Sequence, residues 1–179
     1  MDSAIQSTSQ YRERSLEPKK RQVDSETWFM MIHAYLRQLF ENPEKEKDLK
    51  YLRLESLASS IGRNVIERIA DERLGKYRDR SQIIRFIAVE VWTFLFGKMV
   101  TKVDYKEDGD TFYFQDNDFK FLRRISSEED SAKEYISFCM NFIGYLIKAA
   151  LKPFKIETVV SGETQNYSDY TFMVQIKNA

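Results

Sequence analysis

Cysteine is nearly missing from this sequence. Cys139 stands alone, so no disulfide can form within the chain. Histidine occurs once, as His33, and no zinc-type spacing of Cys and His exists. Net charge is missing too, because 28 Lys and Arg balance 28 Asp and Glu. Without a basic field of the kind that finds phosphate backbones, nucleic acid is not an expected partner. No uninterrupted apolar run reaches the roughly 18 to 20 residues of a membrane span. The densest windows, IIRFIAVEVWTFLFG (83–97) and YISFCMNFIGYLIKAAL (135–151), read as buried helices. No apolar leader precedes a cleavage-like site, so a cytosolic protein is expected.

Catalytic and metal patterns are equally scarce. There is no G-x-S-x-G and no phosphate-binding glycine loop. An EF-hand loop begun at Asp104 has Asp108 and Gly109 in place, but Lys106 falls at the third ligand position and Gln115 at the twelfth. Begun at Asp116, the loop fails at Lys120 and Phe121. His33 lies inside a helical pattern and Cys139 in an apolar one, where a thiol behaves as a small hydrophobe. The pairs Asp71/Glu72 and Glu128/Glu129 fall at element edges, as solvated charge. No metal site, no cofactor and no catalytic residue is expected.

What the chain does have is apolar and aromatic mass. With 42% apolar and 14% aromatic residues in 179, it can bury one sizeable core. Residues 1–22 combine Ser, Gln and charge, with five basic residues (Arg12, Arg14, Lys19, Lys20, Arg21) against three acidic ones (Asp2, Glu13, Glu17). They read as a disordered tail before a single domain at 23–179.

From there Trp28, Ile32, Tyr35 and Leu39 form a helical stripe, capped by Asp24 or Ser25 and stopped at Asn42-Pro43. Leu54, Leu57, Ile61, Val65 and Ile69 form a second, ended near Leu74-Gly75. Gly62 lies on it, and a helical glycine costs about 1 kcal/mol against alanine, so close approach by another backbone is expected there. A third helix runs from a Ser81 cap to Phe96 and is apolar nearly all round, hence central.

TKVDYKEDGDTFYFQD (101–116) reads as a hairpin turning at Asp108-Gly109, and a fourth helix spans about Ser131 to Lys152, ended by Pro153. FKIETVVSG and DYTFMVQIK form a second hairpin. The order implies an α+β domain, four main helices packed on a twisted antiparallel sheet. FYFQDNDFKFL (112–122) admits a base-stacking platform with Lys120, Arg123 and Arg124, but it lacks the glycine-aromatic signature of an RNA-binding sheet. It reads instead as a strand running into a turn.

The helix stripes exceed what one core of this size needs, which points to a partner. The candidate partner interface is Trp28, Ile32, Tyr35, Leu39, Leu54, Leu57, Ile61, Gly62 and Val65. Alone, the chain is expected to self-associate, a homodimer being one form. A small-ligand or lipid-binding domain with an apolar channel is the alternative, and an enzyme ranks behind both.

Four blocks, ESLASSIGRNVIERIADE (55–72), VEVWTFLFGK (89–98), TFYFQDNDFKFL (111–122) and YLIKAALKPFKIETVV (145–160), resemble in order and spacing those of the trafficking protein particle (TRAPP) subunit family, nearest the subunit 6 type. The most specific element is Glu90, Trp92, Phe96 and Lys98 followed by Gln115, Asp116, Asn117 and Phe119. The resemblance implies a TRAPP-subunit-like fold in which Trp92, Phe96 and Phe119 are core and Gln115, Asp116 and Asn117 satisfy a turn. It further implies a non-catalytic scaffold piece in a vesicle tether and Rab guanine-nucleotide exchange complex. That complex works between endoplasmic reticulum and Golgi, peripheral to their membranes.

The implied partners are a subunit 3 type chain as heterodimer mate, a small longin-like subunit and, indirectly, a Rab-family GTPase. In the subunit 3 type a cysteine after the second helix is acylated. The matching stretch LGKYRDR (74–80) has no thiol, so acylation there is not implied. Ala58 stands where the family often has glycine, with only Gly62 kept one turn later, so a slightly wider closest helix contact is expected.

Overall fold

The structure, a computed structural model, describes residues 25–43, 46–70, 77, 79–123, 125, 130–164 and 168–177. The tail expected at 1–22, the stop at Leu74-Gly75, Arg124 and the pairs Asp71/Glu72 and Glu128/Glu129 lie outside them. Among the described residues no helix is long and apolar enough to cross a membrane.

Helix α1 (Ser25–Glu41) buries Phe29, Ile32, Leu36 and Leu39, and α2 (Lys47–Ala70) buries Leu54, Ala58, Gly62, Val65, Ile66 and Ala70. The third helix is not uniform. It consists of α3 (Arg80–Phe86), a π-helical segment (Ile87–Val91) and α4 (Trp92–Phe96). Its cap is Asp79, whose carboxylate accepts from the Gln82 amide at 2.7 Å, two residues before the Ser81 expected from sequence. A π turn shifts the helical hydrogen bonds by one residue, and here the Ala88 carbonyl accepts from the Val100 amide at 3.0 Å. That bond folds the chain leaving α4 back along the helix and starts the first strand beside it.

Strands β1 (Lys102–Tyr105), β2 (Thr111–Asp116), β3 (Thr158–Thr164) and β4 (Tyr170–Ile176) form one antiparallel sheet in the order β1-β2-β4-β3. The first hairpin turns more widely than the Asp108-Gly109 dipeptide alone suggests, because five residues separate β1 from β2. Gly109 takes φ of 71°, and Asp108 Oδ1 accepts from the amides of Asp110 (2.9 Å) and Thr111 (3.0 Å), so this carboxylate serves the turn. Between β2 and β4 the pairs Phe112↔Val174 and Phe114↔Phe172 face inward, whereas Tyr113↔Met173 faces out and is half-buried.

A short helix, α5 (Lys120–Arg123), follows β2 and turns Phe121 and Leu122 inward. Helix α6 (Asp130–Leu151) packs on α2 and β3, then closes in a 3-10 turn, Lys152–Phe154, carrying Pro153. Trp92 sits at the centre, with ring centroids 4.7 Å from Phe96, 5.6 Å from Phe119 and 5.7 Å from Phe172. Aromatic rings at such separations add to the stabilisation from burial alone.

Candidate functional site

The structure divides the residues read as a partner interface. Ile32, Leu39, Leu54, Gly62 and Val65 are buried in the chain's own core, so that part of the expected interface is corrected. Trp28, Leu57 and Ile61 are half-buried against the same core, and Tyr35 is exposed. The physical reason lies in helix register. In α1 the buried stripe is Phe29, Ile32, Leu36 and Leu39, one residue on from Trp28, or about 100° around a helix of 3.6 residues per turn.

Trp28, Met31 and Tyr35, at spacings of three and four, form a second stripe beside the first. Met31 is 64% exposed and Tyr35 43%, with Met30 alongside at 66%. On α2, Leu49 and Leu52 are exposed in the same way. Sequence reasoning missed Met30, Met31, Leu49 and Leu52 because it assigned one stripe to each helix. The signal was present as a surplus of apolar residues at 28–32.

The inward face of α2 is unusual in being small. A Cβ added at Gly62 would lie 2.7 Å from Ala149 Cβ and 3.1 Å from the Leu146 carbonyl, so α2 and α6 meet there at backbone distance. Ala58 is fully buried one turn earlier.

Of the eight-residue pattern seen in the sequence, Trp92, Phe96, Lys98, Asp116 and Phe119 gather in one knot, and Glu90 is exposed outside it. Asp116 is fully buried at the end of β2, and its Oδ2 accepts from Trp92 Nε1 at 2.6 Å. Its Oδ1 forms an ion pair with Lys98, whose ammonium also donates to the Asn117 carbonyl at 2.5 Å. Burial pushes the Asp116 carboxyl above its ordinary range, against the opposing pull of Lys98 and the Trp92 N–H.

Asp116 and Gln115 therefore do not serve the turn locally, contrary to the expectation. Gln115 reaches across the sheet to Asp104 Oδ2 at 3.2 Å. The turn itself is held by the Asn117 amide donating to Thr101 Oγ1 at 3.0 Å, and by Asp118 at φ of 59° with its Oδ1 accepting from Arg123. Phe119 is buried against Trp92 and Phe96, and the Asn117 side chain is exposed.

His33 ties three helices together. Its ring stacks on Phe121 at 4.3 Å, Nε2 lies 2.6 Å from the Phe121 carbonyl and Nδ1 lies 3.1 Å from the Tyr135 hydroxyl. Cys139 is fully buried, and burial pushes its thiol up to about 12, far from the thiolate a nucleophile needs. Among the described residues no three His, Cys, Asp or Glu side chains gather where a metal ion would sit.

The profile of the family described as transport protein particle (TRAPP) component matches residues 8–177. The chain belongs to that family. It is similar to trafficking protein particle complex subunit 6B of mouse and of human, at 24% identity over 159 residues in each case, covering 85% of this chain and 97% of theirs. Among solved structures it resembles a trafficking protein particle complex subunit 3 from Naegleria fowleri covalently bound to palmitic acid. That match has a TM-score of 0.71 and 15% identity, and covers 86% of this chain and 95% of the other. At that identity the likeness shows the fold, and it is the α+β arrangement of helices on an antiparallel sheet described above. Within the TRAPP family fold, the Trp92, Lys98 and Asp116 knot locks the third helix to the sheet.

Proposed function

We propose that this TRAPP-family chain is a non-catalytic assembly subunit of a vesicle-tethering complex that exchanges guanine nucleotide on a Rab-family GTPase. The step it serves is transport from endoplasmic reticulum to Golgi. One observation carries the reading: α1 and α2 keep large apolar side chains in water (Met30, Met31, Tyr35, Leu49 and Leu52) although the core beneath them is already filled. A subunit 3 type partner would dock on those outer faces, and the family match supports membership in such a complex. A small longin-like subunit would dock elsewhere. The chain would be cytoplasmic and peripheral to membranes as part of the complex.

Catalysis has little to work with here, since the single histidine is spent on main-chain and tyrosine contacts and the single thiol is buried. The alternative of a ligand held in an apolar channel gains no support either. Trp92, Phe114, Phe119, Phe121, Phe138, Phe142 and Phe172 fill the interior, and Cys139 gives a covalently held acyl chain no accessible sulfur.

Co-expression with a subunit 3 type chain, followed by size-exclusion chromatography with light scattering, tests the proposal. A one-to-one complex supports it. Two separate monomers at micromolar concentration would remove its basis.

A further inference from the structure

Glu55, Ser59 and Arg63 fall four residues apart, on one stripe of α2, and Lys148 and Lys152 fall four apart where α6 ends. The two stripes face each other across a cleft of about 380 Å³, with the buried Ala149 between them. Next to the cleft, Gly62 holds α2 and α6 at backbone distance, so the separation of its walls is set by main chain. Lys148 Nζ lies 3.0 Å from Glu55 Oε1, which offsets one of the three cations. The side chains of Arg63 and Lys152 make no hydrogen bond or ion pair with any described residue. The C-terminal end of α6 contributes the equivalent of about half a negative charge, less than these two free cations supply. A chain of zero formal charge thus concentrates positive charge at one fixed concavity.

We propose that this cleft binds a phosphate monoester, gripped by Arg63 from α2, by Lys148 and Lys152 from the other wall, and by the Ser59 hydroxyl. Three donor types on two walls match a tetrahedral anion. The guanidinium fork takes two oxygens, the ammonium groups act as point charges on the others, and the hydroxyl donates to what remains. A carboxylate has two oxygens in one plane and would leave one wall unused. The phosphate has two available sources, a soluble phosphorylated metabolite or the headgroup of a phosphorylated lipid, and the same donors serve either.

The test uses the full chain and two probes. Inorganic phosphate is titrated against sodium chloride of equal ionic strength, with backbone amide NMR shifts as the readout. Flotation is measured with phosphatidylcholine vesicles with and without a phosphatidylinositol monophosphate. The expected result is saturable shifts at Ser59 and Arg63 with phosphate, or flotation that depends on the phosphorylated lipid. The charge reversal Arg63→Glu with Lys152→Glu weakens either response by about tenfold or more, since charge-assisted bonds to phosphate are among the strongest polar contacts. Circular dichroism verifies the fold, and Arg63→Gln with Lys152→Gln replaces the reversal should it fail to fold.

A response to phosphate alone assigns the soluble source, and flotation alone assigns the lipid. No response to either probe beyond the chloride control overturns the proposal. So does a response that the substituted chain retains in full.

Discussion

Trp92 and Asp116, 24 residues apart, meet in the core through an indole N–H donating to a carboxylate at 2.6 Å, and neither side chain has more than 1% exposure. With Lys98 on the second carboxylate oxygen, this contact fixes the third helix against β2. Removing one partner of a buried ionic contact leaves the others desolvated and unpaired. Asp116→Ala should therefore cost about 3 to 5 kcal/mol, scaled down somewhat by the partial exposure of Lys98. Asp116→Asn, which keeps the shape and an acceptor, should cost distinctly less. Urea unfolding of both variants checks the order, and equal losses would show that the whole loss comes from the charge, with a neutral acceptor restoring nothing.

The pH dependence has two carboxylates with opposite signs. Asp116 is raised above 3.8 by burial, so between 3.8 and its folded value the native state holds a proton that the unfolded chain has released. Stability should fall as pH rises through that interval and be flat above it. Asp108 is lowered, first by the Asp110 amide, so its contribution is present above 3.8 and is lost as pH falls through its folded value. Carboxyl-carbon NMR titration should place the Asp116 midpoint above 3.8 and the Asp108 midpoint below. In Asp116→Asn the decline above 3.8 should vanish.

Gly62→Ala sets two effects against each other. Alanine gains about 1 kcal/mol of helix propensity over glycine. Its Cβ would stand 2.7 Å from Ala149 Cβ and 3.1 Å from a carbonyl that cannot turn aside, and overpacking of this kind costs about 1 to 3 kcal/mol. The clash should win, giving a net loss in thermal denaturation. A raised melting temperature would mean that α2 and α6 have room to part.

The sequence was legible where period alone decides. The helices at α1, α2 and α6, the two hairpins and the closing Pro153 follow from spacing and turn residues. Three features were hidden for physical reasons. The π segment at Ile87–Val91 lies in a stretch apolar on every side, where no stripe exists to slip by one residue. Helix α5 was absorbed into the turn after β2, because its four residues are too few to display a helical stripe. The α2 face was legible only in part, since Leu54, Gly62 and Val65 fall on the expected stripe while buried Ala58 is too small for a search for large apolar residues to register. The partners of Asp116 lie 18 and 24 residues away, at Lys98 and Trp92, beyond any local reading.

The central claim, assembly through the outer faces of α1 and α2, is tested most directly by placing one charge on each face. Met31→Asp with Leu52→Asp alters side chains that are 64% and 62% exposed, so the fold should persist with near-native circular dichroism. A charge carried into a desolvated interface without a counter-ion is expensive, and buried anchors dominate such contacts. Binding to a subunit 3 type partner, measured by isothermal titration calorimetry, should then weaken by about a hundredfold or more, the loss of two hot-spot anchors. Unchanged affinity in a folded double variant would contradict the claim.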